Sequence, residues 1–261
     1  MKRFLIITLV ILLLWGCAAP TPPQTDPTTE PTSEPTTAPT TEPTTEPTTE
    51  PTTQPTTEPT TAPTEPPVYI YEGAQVDLLE EKDLYWEDRL PEAQVEFVMV
   101  HFMSAVVEHP DDPYNMTYLR SIFEDYEISV HYIIGRDGTI YCYVPENVTA
   151  YHAGRGTYGD ERYTNKMNHY SVGIEIAAIG SKADMVDYLT GWEYDNLEVD
   201  VGYTEAQYES LIALVRDICL RNDVPMDRQH IIGHDEYGPG KTDPGELFDW
   251  ERLISGIQDS E

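Results

Sequence analysis

The sequence predicts a single α/β domain built around one mixed β-sheet, confined to residues 68–261. Three observations lead there. Short apolar runs rich in branched residues read as buried strands. Stretches whose apolar residues recur at helical spacing lie between them, and strands interleaved with helices indicate a sheet covered by helices. The turn Gly135-Arg136-Asp137-Gly138 separates two of the runs, a hairpin signal that makes part of the sheet antiparallel.

The elements follow in order. The run from Glu96 to Phe102 is the first strand. Asn115 to Glu127 carries Met116, Leu119, Ile122, Phe123 and Tyr126 at helical spacing. Val130–Ile134 and Thr139–Val144 are the arms of the hairpin, and Val172–Ala177 is another strand. Thr204, followed by Glu205, Ala206 and Gln207, approximates a capping box. The helix it opens places Tyr208, Leu211, Ile212, Val215, Ile218 and Cys219 on one face and ends at Asn222. Ile231-Ile232 is a brief strand, and Phe248 to Ile257 a final helix. Gly180 to Gly202 reads as an irregular acidic insertion. Cys142 and Cys219 read as two buried thiols, since two cysteines do not make a disulfide scaffold.

Upstream of this domain the chain changes character. Lys2 and Arg3 precede an apolar run from Phe4 to Leu14, too short to span a bilayer and built like a secretory signal. Leu14-Trp15-Gly16-Cys17 resembles the lipobox of bacterial lipoproteins, which implies that residues 1–16 are a signal peptide and that Cys17 is lipidated. Residues 17–67 are then a lipid-anchored tether rich in Thr, Pro and Glu. From residue 20 it has no aromatic or branched aliphatic side chain to bury. Its prolines favour polyproline II, so 48 residues reach roughly 150 Å when extended.

The formal charge is -32, with 47 acids and 15 bases. Eight acids and two bases precede residue 68, which leaves 39 and 13 and a charge of -26 on the domain. That balance excludes nucleic acid, whose phosphates need clustered Lys and Arg. It also opposes adhesion to anionic wall polymers, so the lipid and tether are expected to supply the local concentration.

One segment carries a chemical signature. Gly233 to Gly245 reads GHDEYGPGKTDPG, a composition expected to form neither helix nor strand. Its glycines and prolines allow a rigid reversal that brings the Asp243 carboxylate beside the His234 imidazole, with Lys241 pointing into the same space. Imidazole and carboxylate are zinc ligands, and a catalytic zinc usually takes three protein ligands and a water. His101, at the end of an apolar strand, is the best candidate for the third. Composition alone does not select it over His131 or His152. His131 reads as a packed core histidine, and His109, His169 and His230 as surface or loop residues.

Five stretches in this order resemble the zinc-dependent N-acetylmuramoyl-L-alanine amidases of the type-2 family, which includes the peptidoglycan recognition proteins. They are VMVHF (98–102), SVHYIIGRDGTIY (129–141), AYHAG (150–154), NHYSVGIEI (168–176) and GHDEYGPGKTDPGELFDW (233–250). The resemblance implies a central mixed sheet flanked by helices, zinc held by His101, His234 and Asp243, and Glu175 as general base. It implies Lys241 beside developing negative charge and His152 near the substrate. Val130 stands where the phage branch has a tyrosine, which gives Glu175 more weight. The implied activity is hydrolysis of the amide between N-acetylmuramic acid and L-alanine in peptidoglycan or its fragments. The alternative is a non-catalytic peptidoglycan-binding module of the same fold. The chain is then expected to be a monomer on the extracellular face of a bacterial membrane, with peptidoglycan or muropeptides as partners.

Overall fold

The computed structural model describes residues 69–259. The expected signal peptide, the lipidation at Cys17 and the tether lie outside the described residues. The sheet has six strands: β1 (Gln75–Val76), β3 (Phe97–Met103), β4 (Tyr132–Ile134), β5 (Ile140–Cys142), β7 (Ser171–Ala177) and β8 (Ile231–Gly233). Their spatial order is β1-β5-β4-β7-β3-β8. Only β4 and β5 pair antiparallel, through the expected hairpin; the other neighbours are parallel. The sheet is therefore mixed, as the sequence predicts.

The turn between β4 and β5 needs its last glycine. Gly138 has φ +84, and a Cβ there would lie 2.7 Å from the Ala206 carbonyl oxygen. Gly135 N–H donates to Thr139 O at 2.9 Å, and the Asp137 carboxylate accepts from Thr139 N–H at 3.0 Å.

The helices are α1 (Met116–Tyr126), α2 (Met167–Tyr170), α3 (Gly191–Asp195), α4 (Glu205–Asn222), α5 (His234–Tyr237) and α6 (Trp250–Asp259). The capping box of α4 is present: Thr204 Oγ1 accepts from Gln207 N–H, and Gln207 Oε1 accepts from Thr204 N–H. Asp223 closes the helix in the left-handed conformation.

Alternation along β3 and β7 divides the interior into two faces. Val98, Val100, Val172, Ile174 and Ile176 pack with Leu211, Leu214, Val215 and Ile218 of α4 and with Leu253 and Ile257 of α6. Each of these aliphatic side chains contributes about 1.5–3 kcal/mol when fully buried. The opposite face carries Phe97, Met99, His101, Gly173 and Glu175. Two apolar clusters seal its flanks, one built on α1 through Leu119 and Phe123, the other on Met167, Tyr170 and Tyr237. The polar side chains of interest thus sit between two dry walls.

Three expectations need correction. A separate two-stranded sheet, β2 (Trp86–Asp88) with β6 (Val148–Ala150), accompanies the main one; its strands are too short and polar to register as apolar runs. The GHDEYGPGKTDPG segment does contain a helical turn, α5, because Asp235 and Glu236 lie in its first turn and Glu236 accepts from Gly233 N–H at 2.7 Å. The 180–202 insertion is not wholly irregular: Thr190 and Glu193 form a capping box that starts α3. Among the described residues, Cys142 and Cys219 are buried free thiols, and burial pushes both up to about 12.

An ion pair whose acidic end is buried fastens α4 to the loop that follows β5. Arg221 donates to both oxygens of Glu146, at 2.8 and 2.9 Å, and Tyr132 OH donates to Glu146 Oε1. Removing the cation leaves a carboxylate stranded in the interior, which costs more than the pair itself is worth. Arg221→Ala is expected to lower the unfolding free energy by about 1–3 kcal/mol in urea titrations. Adding Glu146→Gln to that variant, which removes the stranded charge but keeps an acceptor for Tyr132, is expected to recover most of the loss.

Candidate metal centre

His101 is the fifth residue of β3 and is almost wholly buried. It stands in register with Glu175 of the neighbouring parallel strand β7. On the other side, Val100 is in register with Gly233, the last residue of β8, so the chain leaves the sheet at His234 beside His101. The following loop returns through Gly238, Pro239 and Gly240, the last at φ +79. Asp235 N–H donates to Asp243 O at 2.9 Å and closes the return. The reversal read from the sequence is therefore present.

The three expected ligands converge. His101 Nδ1 lies 3.1 Å from His234 Nδ1 and 2.8 Å from Asp243 Oδ2, and His234 Nδ1 lies 3.0 Å from the same oxygen. Among the described residues they form the group of His, Cys, Asp or Glu with ligand atoms within 4.8 Å of one another.

The outer hydrogen bonds decide where the imidazole protons sit. His234 Nε2 faces the Ala153 carbonyl at 3.0 Å, and a carbonyl only accepts, so the His234 proton is on Nε2. Ser171 Oγ donates to Met167 O at 2.7 Å and so accepts from His152 Nε2 at 3.2 Å. His152 Nδ1 is then a lone pair, and accepts from His101 Nε2–H at 3.1 Å. With one proton on each ring, both protons are spent on the outer side. Two bare Nδ1 atoms and a carboxylate oxygen are left facing one another, an arrangement that a cation satisfies. The donor set, two imidazoles and a carboxylate, suits zinc with an open fourth position.

The electrostatics agree. Burial, with the neighbouring His234, pushes His101 down to about 4, so the ring is neutral at physiological pH. Glu175 is raised well above the usual carboxylate range by burial and by the Asp243 charge, opposed by Lys241. Glu175 Oε2 is buried with no hydrogen-bond partner. An orphaned carboxylate oxygen next to three ligands is what a proton acceptor for a bound water requires. Lys241 is exposed, and its side chain crosses Gly238, where a Cβ would lie 2.7 Å from Lys241 Cγ.

The structure brings together His101, His234, Asp243, Glu175 and Lys241. His152 lies beside them, with both ring nitrogens engaged by His101 and Ser171. His131 is a satisfied core histidine, as expected: its Nδ1 accepts from Gly173 N–H at 3.0 Å and its Nε2 faces Val148 O at 3.2 Å. Sequence reasoning missed the supports. Ser171, the Ala153 carbonyl and Asn168, which accepts from His152 and Ala153 N–H, carry no local signal that sets them apart. It also missed Tyr188 of the insertion. Its ring is largely exposed, and burial of the hydroxyl with the Asp243, Asp187 and Glu175 charges raises the phenol above its ordinary value.

Fold and site together define an α/β domain in which two histidines and one aspartate that could hold a cation converge at the carboxyl end of a parallel strand pair. Comparison with known proteins then identifies it. The sequence pattern of the N-acetylmuramoyl-L-alanine amidase family, Amidase_2, matches residues 91–246, and the chain belongs to that family. It is 36% identical over 128 residues to the 1,6-anhydro-N-acetylmuramyl-L-alanine amidase AmpD of Escherichia coli K12, covering 48% of this chain and 56% of that protein. It is 25% identical over 202 residues to AmpD of Haemophilus influenzae, covering 72% of this chain and 97% of that protein. The chain thus spans little more than half the length of the E. coli relative. The crystal structure of a selenomethionine AmpD derivative superposes with a TM-score of 0.51 at 24% identity, over 72% of this chain and 96% of that one, which shows the shared fold.

Two outcomes are expected of this geometry. A Cβ at Gly173 would lie 2.5–2.7 Å from three atoms of the His152 ring. Gly173→Ala should therefore displace His152, free His101 Nε2–H, and weaken zinc binding by about tenfold in chelator competition. Burial lowers His131 and His152 well below 6.5, so in metal-free protein their ring resonances should stay at neutral positions through pH 5 in NMR titrations.

Proposed function

We propose that this protein is a zinc-dependent N-acetylmuramoyl-L-alanine amidase. The bond cut joins the lactyl carbonyl of N-acetylmuramic acid to L-alanine, in peptidoglycan or its fragments. The observation that carries the reading is the convergence of His101 Nδ1, His234 Nδ1 and Asp243 Oδ2 with both histidine protons turned away. Family membership and the names of its relatives support it.

An amide carbonyl is a poor electrophile and water a poor nucleophile. A zinc ion held by His101, His234 and Asp243 supplies a Lewis acid and lowers the pKa of its water to about 7. The protein does the rest. Glu175, half-buried and with its Oε2 unpartnered, takes the proton of the attacking water and returns it to the leaving L-alanine nitrogen. The Lys241 ammonium faces the oxygen that gains charge in the tetrahedral intermediate. His152 holds the ring of His101 by accepting from its Nε2–H, and would lie near the bound substrate. The apolar walls around Met167 and Leu119 limit water on either side.

The setting is also proposed, from sequence alone. Cys17 carries the lipid, residues 17–67 span outward from the membrane, and the domain works as a monomer on the extracellular face. A non-catalytic binding module of this fold needs neither a complete ligand set nor an orphaned Glu175, and both are present.

The test digests peptidoglycan with the full chain and scores free amino-terminal L-alanine on released peptides. Release is expected with zinc and not with chelator. Glu175→Gln should lower the rate about 10²- to 10⁴-fold and Lys241→Met about 10²- to 10³-fold, with zinc still bound. Peptidoglycan that binds the zinc-loaded protein without any release would leave the binding module as the answer.

A further inference from the structure

The insertion between Gly180 and Gly202 lies away from the ligands in sequence, yet it grips the loop that carries one of them. Asp184 is nearly buried. Its Oδ2 accepts from Ser181 N–H at 2.8 Å and from Glu246 N–H at 3.2 Å. Its backbone carbonyl accepts from Thr242 Oγ1 at 3.1 Å. Tyr203, just past the insertion, donates its hydroxyl to Pro244 O. Gly245 has φ +77 and leaves the space that the Asp184 carboxylate fills: a Cβ there would lie 2.5 Å from Asp184 Oδ2.

Residues 242, 244, 245 and 246 are thus held by Asp184 and Tyr203, while Asp243 between them reaches only toward His101 and His234 with its carboxylate. The insertion is itself seated next to the first ligand. Ile179 and Met185 bury against Val106, with Phe102 packed on them, and Phe102 follows His101 in β3. A loop of glycines and prolines has few internal contacts to fix the position of a carboxylate. Here Asp235 N–H holds the Asp243 carbonyl from within the loop, and the residues on either side of Asp243 are held from outside.

We infer that the 180–202 insertion is a brace for the metal centre, with Asp184 the positioning residue that sets Asp243 against His101 and His234. The inference rests on the reading of those three residues as the metal ligands. A ligand carboxylate that its support holds in place loses less freedom when the ion binds, and supports of this kind typically change metal affinity by about 10- to 100-fold.

The test compares wild-type full chain with Asp184→Ala, Asp184→Asn and Tyr203→Phe. Zinc affinity is read by chelator competition, site geometry by the visible absorption of the cobalt-loaded protein, and folding by the thermal midpoint without metal. Asp184→Ala should bind zinc about tenfold more weakly and shift the cobalt bands. Asp184→Asn, which still offers an oxygen to Ser181 and Glu246, should restore most of both. Should Asp184→Ala fail to fold, Tyr203→Phe, which deletes one hydroxyl, is the deciding variant and should bind zinc severalfold more weakly. A folded Asp184→Ala or Tyr203→Phe with wild-type affinity and cobalt spectrum overturns the brace, even when its thermal midpoint has dropped. Wild-type protein that takes up no metal overturns the functional reading instead.

Discussion

The parallel pairing of β3 with β7 is the constraint on which the site depends. In this register His101 stands beside Glu175, and adjacent strands lie about 4.8 Å apart. Both side chains therefore project from the same face of the sheet on neighbouring strands. A slip of one residue would send Glu175 to the face packed on α4, where Ile174 and Ile176 now sit. The ladder resists that slip because it would exchange those aliphatic residues for a carboxylate in a dry core. β8 adds its own register: Val100 opposite Gly233 means that His234 is the first residue free of the ladder. Hydrophobic packing on one face of the sheet thus positions polar chemistry on the other.

Proton direction is the second determinant, and it is settled outside the cluster. The Ala153 and Met167 carbonyls are acceptors with no alternative role, so each fixes the orientation of a donor chain that ends at a ligand nitrogen. His152 works as the intermediate link, and Gly173 makes room for its ring. A side chain at Gly173 would break a relay that begins at a backbone carbonyl in α2 and ends at the Nδ1 atom of His101.

Much of this was legible in advance. The hairpin at Gly135–Gly138, the long strand through His101, the capping box at Thr204 and the return of Asp243 to His234 follow from local rules. The rest was not, for physical reasons. Residue chemistry alone left His101, His131 and His152 equivalent, because each sits in an apolar setting and differs only in partners distant in sequence. His131 meets a backbone amide of β7, while His101 meets a carboxylate 142 residues away. The ordered set of family stretches, not periodicity, made that distinction. β2 and β6 have three residues each, too few for a pattern. α5 was masked by the glycine and proline that follow it. The insertion read as loop because its anchoring group is a single aspartate among many acids.

The strongly acidic domain makes the centre's charge balance informative. Burial keeps the His101 ring neutral. Glu175 is denied ionisation by burial and by Asp243, with Lys241 alone opposing them. Two carboxylates in one pocket with a single exposed ammonium cannot both carry charge cheaply. A divalent cation at the three ligands reverses the sign of the field that Asp243 imposes on Glu175. On the proposed reading, Glu175 would then ionise more readily with the centre filled than with it empty. Asp243 faces the two histidines and also acts on Glu175, so on the proposed reading the loop that fixes its carboxylate would bear on both the grip on an ion and the ionisation of Glu175.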